Sequence, residues 1–132
     1  MNDVHRTRLP DISVVLATYD RRHSLPRAIA SVLAQDGVRF ELIVVDDASR
    51  DGTADYLATL CDPRLRVITA ERNGGPSAAR NLGLKAARAG IVACLDSDDA
   101  YLPRRLAAPL AAFAADGRPR RLCARTPRNC RA

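Results

Sequence analysis

Four short polar clusters hold most of the chemistry open to this sequence: Thr18-Tyr19-Asp20-Arg21, Asp46-Asp47-Ala48-Ser49, Asn73-Gly74-Gly75-Pro76-Ser77 and Asp96-Ser97-Asp98-Asp99. The last sets three carboxylates within four residues. Like charges that close are costly unless a cation or a set of donors neutralises them. A hard divalent cation held by one or two carboxylates, with substrate phosphates completing its shell, is the usual resolution. Taken alone, such a triplet is more often a solvated turn that caps the next helix. Asp46-Asp47 divides the same way: Asp47 or Ser49 closes a turn, or a carboxylate accepts hydrogen bonds from a base N–H or a ribose hydroxyl. Tyr19 could stack on a planar base or pack at a rim. Arg80 is either a surface cation or the internal partner of Asp46 or Asp47.

Inventory removes other chemistries. His5 and His23 are the only histidines, and Cys61, Cys94, Cys123 and Cys130 form no CxxC pair. No four-ligand zinc site can be drawn, and a histidine-based triad or an HExxH site is excluded. Cys94 lies in an apolar run and is expected to be a buried, inert thiol. Neither G-x-G-x-x-G nor G-x-x-x-x-G-K-[ST] occurs, so the dinucleotide fingerprint and the P-loop are absent.

Each polar cluster follows an apolar run rich in β-branched residues: 12–17, 41–45, 65–69 and 91–95. Nearly continuous apolar strands of this length suit a parallel sheet covered on both faces. Helical periodicity fills the intervals. Leu25, Ile29, Val32 and Leu33 form a stripe behind a capping Ser24 with Pro26 in the first turn. A shorter helix follows Asp51-Gly52 over 53–60. A third runs from Pro76 to Arg88, with Ala79, Leu82 and Ala86 on one stripe and Gly90 as its stop. A fourth, 103–115, is kinked or broken at Pro109. The alternation reads as an α/β fold, an open, Rossmann-like parallel sheet of about four βα units with helices on both faces. All four clusters then emerge on one sheet edge, where open α/β folds bind ligands. If the order turns back between the first and fourth strands, Thr18-Tyr19 faces Asp96–Asp98 across the crevice.

At 132 residues and 14.3 kDa, with 47% hydrophobic and 27% charged residues, the chain reads as one soluble globular domain. Its longest run free of polar residues, 106–115, is too short for a span of about 20 residues, and no apolar signal segment follows the N-terminus. A cytoplasmic location is expected, with peripheral association at the inner membrane face left open. The net charge of +6 invites a nucleic-acid reading until it is located. Arg118, Arg120, Arg121, Arg125, Arg128 and Arg131 account for all of it, because the remaining 15 basic and 15 acidic residues cancel. A neutral body with two phenylalanines and no tryptophan argues against specific nucleic-acid binding.

Taken in order, ISVVLATYDR (12–21), SVLAQ (31–35), ELIVVDDASRDGT (41–53), NGGPSAARNLG (73–83) and IVACLDSDDAYLP (91–103) resemble the N-terminal, nucleotide-sugar-binding half of a family 2 glycosyltransferase of GT-A fold. The resemblance spans 11 to about 106. It implies that Thr18 and Tyr19 lie along the base and ribose, and that Asp47 reads the base. Asp96 and Asp98 match the two acids of the family's D-x-D motif, Asp96 toward the ribose or sugar and Asp98 as ligand of Mn²⁺ or Mg²⁺ on the diphosphate. Arg80 matches the arginine of the family's A-R-N stretch and supports the acidic pair. The donor implied is a nucleotide-diphosphate sugar, UDP by family habit, and the acceptor an unidentified glycan, lipid or protein hydroxyl attacked in the inverting manner, in cell-envelope glycan synthesis.

The family's carboxylate general base has no counterpart in these motifs. Base catalysis is worth roughly 10²–10⁴ in rate, so a truncated or frameshifted copy, weakly active or inactive alone, is expected. The expected organisation is a polar lead-in over 1–10, a partial GT-A domain over 11–116 and a disordered Arg/Pro-rich tail over 117–132. An incomplete sheet would expose an edge, so self-association is expected. Two other readings remain: a non-catalytic nucleotide-binding fragment, and a receiver-like Mg²⁺-binding signalling module. Against the latter, Asp46-Asp47 follows the second strand and Lys85, the only lysine, lies mid-helix.

Overall fold

The computed structural model describes residues 9–108. The elements alternate as β1 (Ile12–Thr18), α1 (Leu25–Leu33), β2 (Phe40–Asp46), α2 (Thr53–Ala58), β3 (Leu65–Thr69), α3 (Pro76–Ala86) and β4 (Ile91–Asp96). The strands form one parallel sheet in the order β3-β2-β1-β4, so the order turns back between β1 and β4, the condition that the alternation alone left open.

Period-two alternation sorts the strand side chains into two layers. Ile12, Val14, Leu16, Leu42, Val44, Ala93 and Leu95 pack with Leu25, Ala28, Ile29 and Val32 of α1 and Leu57 of α2. The opposite face is thinner, with Ile43, Val45 and Ala79 at its centre. There α3 lies close to β1: a Cβ added to Gly83 would overlap the Val15 side chain. The buried stripe of α3 is therefore Ala79 and Gly83, with Ala86 partly buried against the same layer as expected, while Leu82, expected on the stripe, is exposed. Hydrophobicity alone favoured leucine, whereas the tight helix–sheet approach demands the residue without a side chain.

Position in the sheet also corrects the strands. β1 and β2 are buried along nearly their whole length, whereas edge strand β3 is only half covered, with Val67 and Thr69 exposed. On the other edge, Cys94 is partly buried rather than fully buried. Helix ends differ too. Ser24 makes no side-chain cap. α3 stops at Ala86 because Ala87 is extended, so Gly90 does not end it. Beyond β4 the chain turns through 103–106, with Arg104 left-handed at φ 62°, and a helical Ala108 N–H to Arg104 carbonyl bond forms at 3.3 Å. The rest of the expected fourth helix, the lead-in through residue 8 and the tail lie outside the described residues.

At the N-terminal edge of the sheet, opposite the polar clusters, the 2%-exposed Glu41 ties three strands together. It accepts from the Ser13 hydroxyl at 2.6 Å, Arg66 Nη2 at 2.9 Å, and Arg88 N and Nε at 2.8 and 3.0 Å. Burial pushes its pKa up, but the Ser13 and Arg88 hydrogen bonds and the Arg66 charge outweigh it and hold the carboxyl below the usual range.

Candidate functional site

All four polar clusters do emerge at the C-terminal edge of the strands, and together they enclose a cleft of about 490 Å³. That volume suits a small organic ligand. Thr18, Tyr19, Asp47, Arg80, Asp96 and Asp98, the six residues singled out in the sequence, all line it. They arrive from β1, β2, α3 and β4, and the β1–β4 adjacency sets Thr18-Tyr19 across from Asp96–Asp98.

Asp47 is 4% exposed and anchors the third cluster. Its Oδ1 accepts from Gly74 N–H and its Oδ2 from Gly75 N–H, both at 2.9 Å, while its own N–H donates to the Thr18 carbonyl at 2.9 Å. Gly75 takes φ 93°, a conformation that favours glycine, and hands the chain directly to α3. Asp47 does not close the turn after β2. That part falls to Asp46, whose Oδ1 accepts from Ser49 N–H at 3.1 Å. Asp46 Oδ2 and its register partner's hydroxyl, Thr18 Oγ1, are buried without a hydrogen-bond partner among the described residues.

Arg80 does not pair with Asp46 or Asp47. One turn into α3, its Nη2 meets Asp96 Oδ1 at 2.8 Å. Both side chains are about two-fifths exposed, so the pair adds little stability. Its effect is electrostatic and local, offsetting one of three clustered negative charges. Asp96, Asp98 and Asp99 present carboxylate oxygens within 4.8 Å of one another. Asp99 N–H donates to the Asp96 carbonyl at 3.0 Å, folding the triplet back on itself. Three hard oxygen donors at that separation fit Mg²⁺ or Mn²⁺.

Residues given no part at the cleft in the sequence hold this loop in place. Three polar side chains on and flanking α1 bond the segment after β4. The Ser24 hydroxyl donates to the Ser97 carbonyl at 2.9 Å, and Ser31 Oγ accepts from Tyr101 N–H at 2.9 Å. Gln35, 5% exposed, donates to the Leu102 carbonyl at 2.7 Å and accepts from Leu106 N–H at 3.2 Å. Tyr101 donates its hydroxyl to the Cys94 carbonyl at 3.1 Å. The polar positions 24, 31 and 35 break the apolar rhythm of α1 at near-helical spacing, which was the available signal.

In open α/β domains ligands bind in the crevice where the strand order reverses, and the acid-lined cleft lies there. The chain belongs to glycosyl transferase family 2, whose family model matches residues 13–129. That match reaches past residue 103, where the last of the sequence motifs ends. The chain is similar to the succinoglycan biosynthesis protein ExoO of Rhizobium meliloti (strain 1021), 47% identical over 106 residues, covering 80% of this chain and 30% of that protein. It is similar to the UDP-Glc:alpha-D-GlcNAc-diphosphoundecaprenol beta-1,3-glucosyltransferase WfgD of Escherichia coli, 36% identical over 95 residues, 72% of this chain and 38% of that protein. Among solved structures, S. aureus TarS 1–349 in complex with UDP-GlcNAc matches with a TM-score of 0.71 and 34% identity, over 80% of this chain and 31% of that one. The chain thus spans roughly a third of the length of the proteins it matches. Among the described residues no helix is long and apolar enough to cross a membrane.

Proposed function

We propose that this chain is the donor-binding portion of a glycosyltransferase that takes a nucleotide-diphosphate sugar, UDP-linked, and passes the sugar to an acceptor hydroxyl. The observation that carries the reading is the convergence of Thr18, Tyr19, Asp47, Arg80, Asp96 and Asp98 on one cleft at the strand reversal. Two similar proteins add to it, one by name a UDP-Glc glucosyltransferase and the other solved in complex with UDP-GlcNAc.

In this reading Tyr19, 43% exposed at the cleft, offers its ring to the base. Asp47 has both oxygens engaged by glycine N–H groups but keeps further lone pairs for a base N–H. Thr18, in the cleft lining, lies along the ribose. Asp98, exposed and in no ion pair among the described residues, takes the metal, and Asp96 stays oriented by Arg80. When bound, Mn²⁺ or Mg²⁺ supplies charge neutralisation for the departing diphosphate. Among the described residues the carboxylates lining the cleft are Asp47, Asp96 and Asp98, all on the donor side in this assignment. None is left to take the acceptor's proton, so donor binding with little transfer is the activity expected of the chain alone.

Calorimetric titration with UDP, with and without Mn²⁺, tests this. Binding that the metal strengthens supports the reading, and undetectable binding in both arms refutes it. A receiver-like module would instead take up phosphate from a small phosphodonor, which this account predicts does not happen.

A further inference from the structure

Tyr19 is exposed, yet its backbone is pinned on both sides. Just before it, the Thr18 carbonyl accepts from Asp47 N–H at 2.9 Å. Just after it, Asp20 N–H donates to Ser49 Oγ at 2.9 Å, and Asp20 Oδ1 accepts from Arg50 N–H at 2.7 Å. Arg22 N–H continues the series onto Asp51 Oδ2 at 2.9 Å, and its guanidinium lies 4.2 Å from the Tyr56 ring centroid on α2. The loop after β1 is thus zipped to the loop after β2. Asp20 sits at φ 49° and Ala48, across the zipper, at φ 62°, both in the left-handed region where side chains carry strain. The inter-loop bonds flank both positions.

We propose that Asp20, with Ser49, is a positioning residue that sets the Tyr19 ring as a pre-formed platform for the nucleotide base. This rests on the donor-site reading above and extends it to residues that themselves stay outside the cleft lining. A ring fixed before the ligand arrives spares the ordering cost on binding. The effect therefore belongs to ligands that carry a base, and not to the diphosphate–metal end of the same cleft.

Two substitutions separate the requirements at position 20. Asn tolerates the left-handed conformation and keeps the Oδ1 acceptor, whereas Gly tolerates the conformation but has no acceptor. The experiment uses the full 132-residue chain with Mg²⁺. It measures affinity for UDP and for inorganic diphosphate by calorimetry, and the ¹⁵N order parameter of the Tyr19 amide by NMR. Asp20→Gly is expected to weaken UDP by roughly 5–10-fold, the worth of about one hydrogen bond, with diphosphate affinity unchanged and the Tyr19 order parameter lowered. Asp20→Asn should restore all three to wild type. An unchanged order parameter in Asp20→Gly, a parallel loss of diphosphate affinity, or an Asp20→Asn variant as weak as Asp20→Gly would each overturn the positioning role. If wild type binds inorganic diphosphate but not UDP, the donor-site reading fails and the platform role falls with it; failure of the inference alone leaves wild-type UDP binding intact.

Discussion

Asp98 and Asp96 carry the same group two residues apart and are set different tasks by their neighbours. Arg80 occupies Asp96, and Asp98 is left facing solvent in the cleft. The account therefore predicts unequal mutants. Asp98→Asn should abolish the gain in UDP affinity that Mn²⁺ brings while leaving metal-free affinity nearly unchanged, read by calorimetry. Arg80→Ala should cost no more than about 1 kcal/mol of stability, since the pair is substantially exposed; denaturant unfolding checks it. The residues with chemistry were legible in the sequence because an acidic triplet after an apolar run is conspicuous. Arg80's partner was legible only through the resemblance, which had it support the D-x-D pair, and not from spacing. Helix α3 could have aimed it at the β2 acids or the β4 acids, and only the packing of α3 against β1 decides.

At the scale of elements, the sheet and its helices were readable from alternation, and the misreadings share one cause. Leu82 against Gly83, Ser24 as a cap, and β3 as a strand buried on both faces each depended on what lay across a tertiary contact. Gly83 is the sharpest case. Gly83→Val should destabilise by about 1–3 kcal/mol through overpacking against Val15, seen as a lower denaturant midpoint at unchanged slope. Glu41 gives the elements a pH dependence. Its folded pKa is depressed, so its contribution is fully present above the ordinary value of 4.5 and is lost as pH falls through the folded pKa. Glu41→Gln should flatten that acid limb of the stability curve below pH 4.5. The polar stripe of Ser24, Ser31 and Gln35 on and flanking α1 was visible as letters, but its purpose became clear only once the chain after β4 lay against it.

For the whole molecule, the +6 charge is a property of the arginines beyond residue 117 and not of the cleft-bearing part. Any affinity for nucleic acid should accordingly be weak and strongly salt-dependent; binding to an unrelated duplex at low salt that vanishes at physiological salt would show this. The neutral remainder encloses a cleft whose occupant the account specifies. The most direct measurement is amide chemical-shift mapping of the full chain with UDP and Mg²⁺. The account predicts that the largest changes fall at Thr18, Tyr19, Asp47, Gly74, Gly75 and Asp96–Asp98, with Ser13, Glu41 and Arg88 at the opposite sheet edge unmoved. Changes centred on that opposite edge, or none at saturating UDP and Mg²⁺, would contradict it.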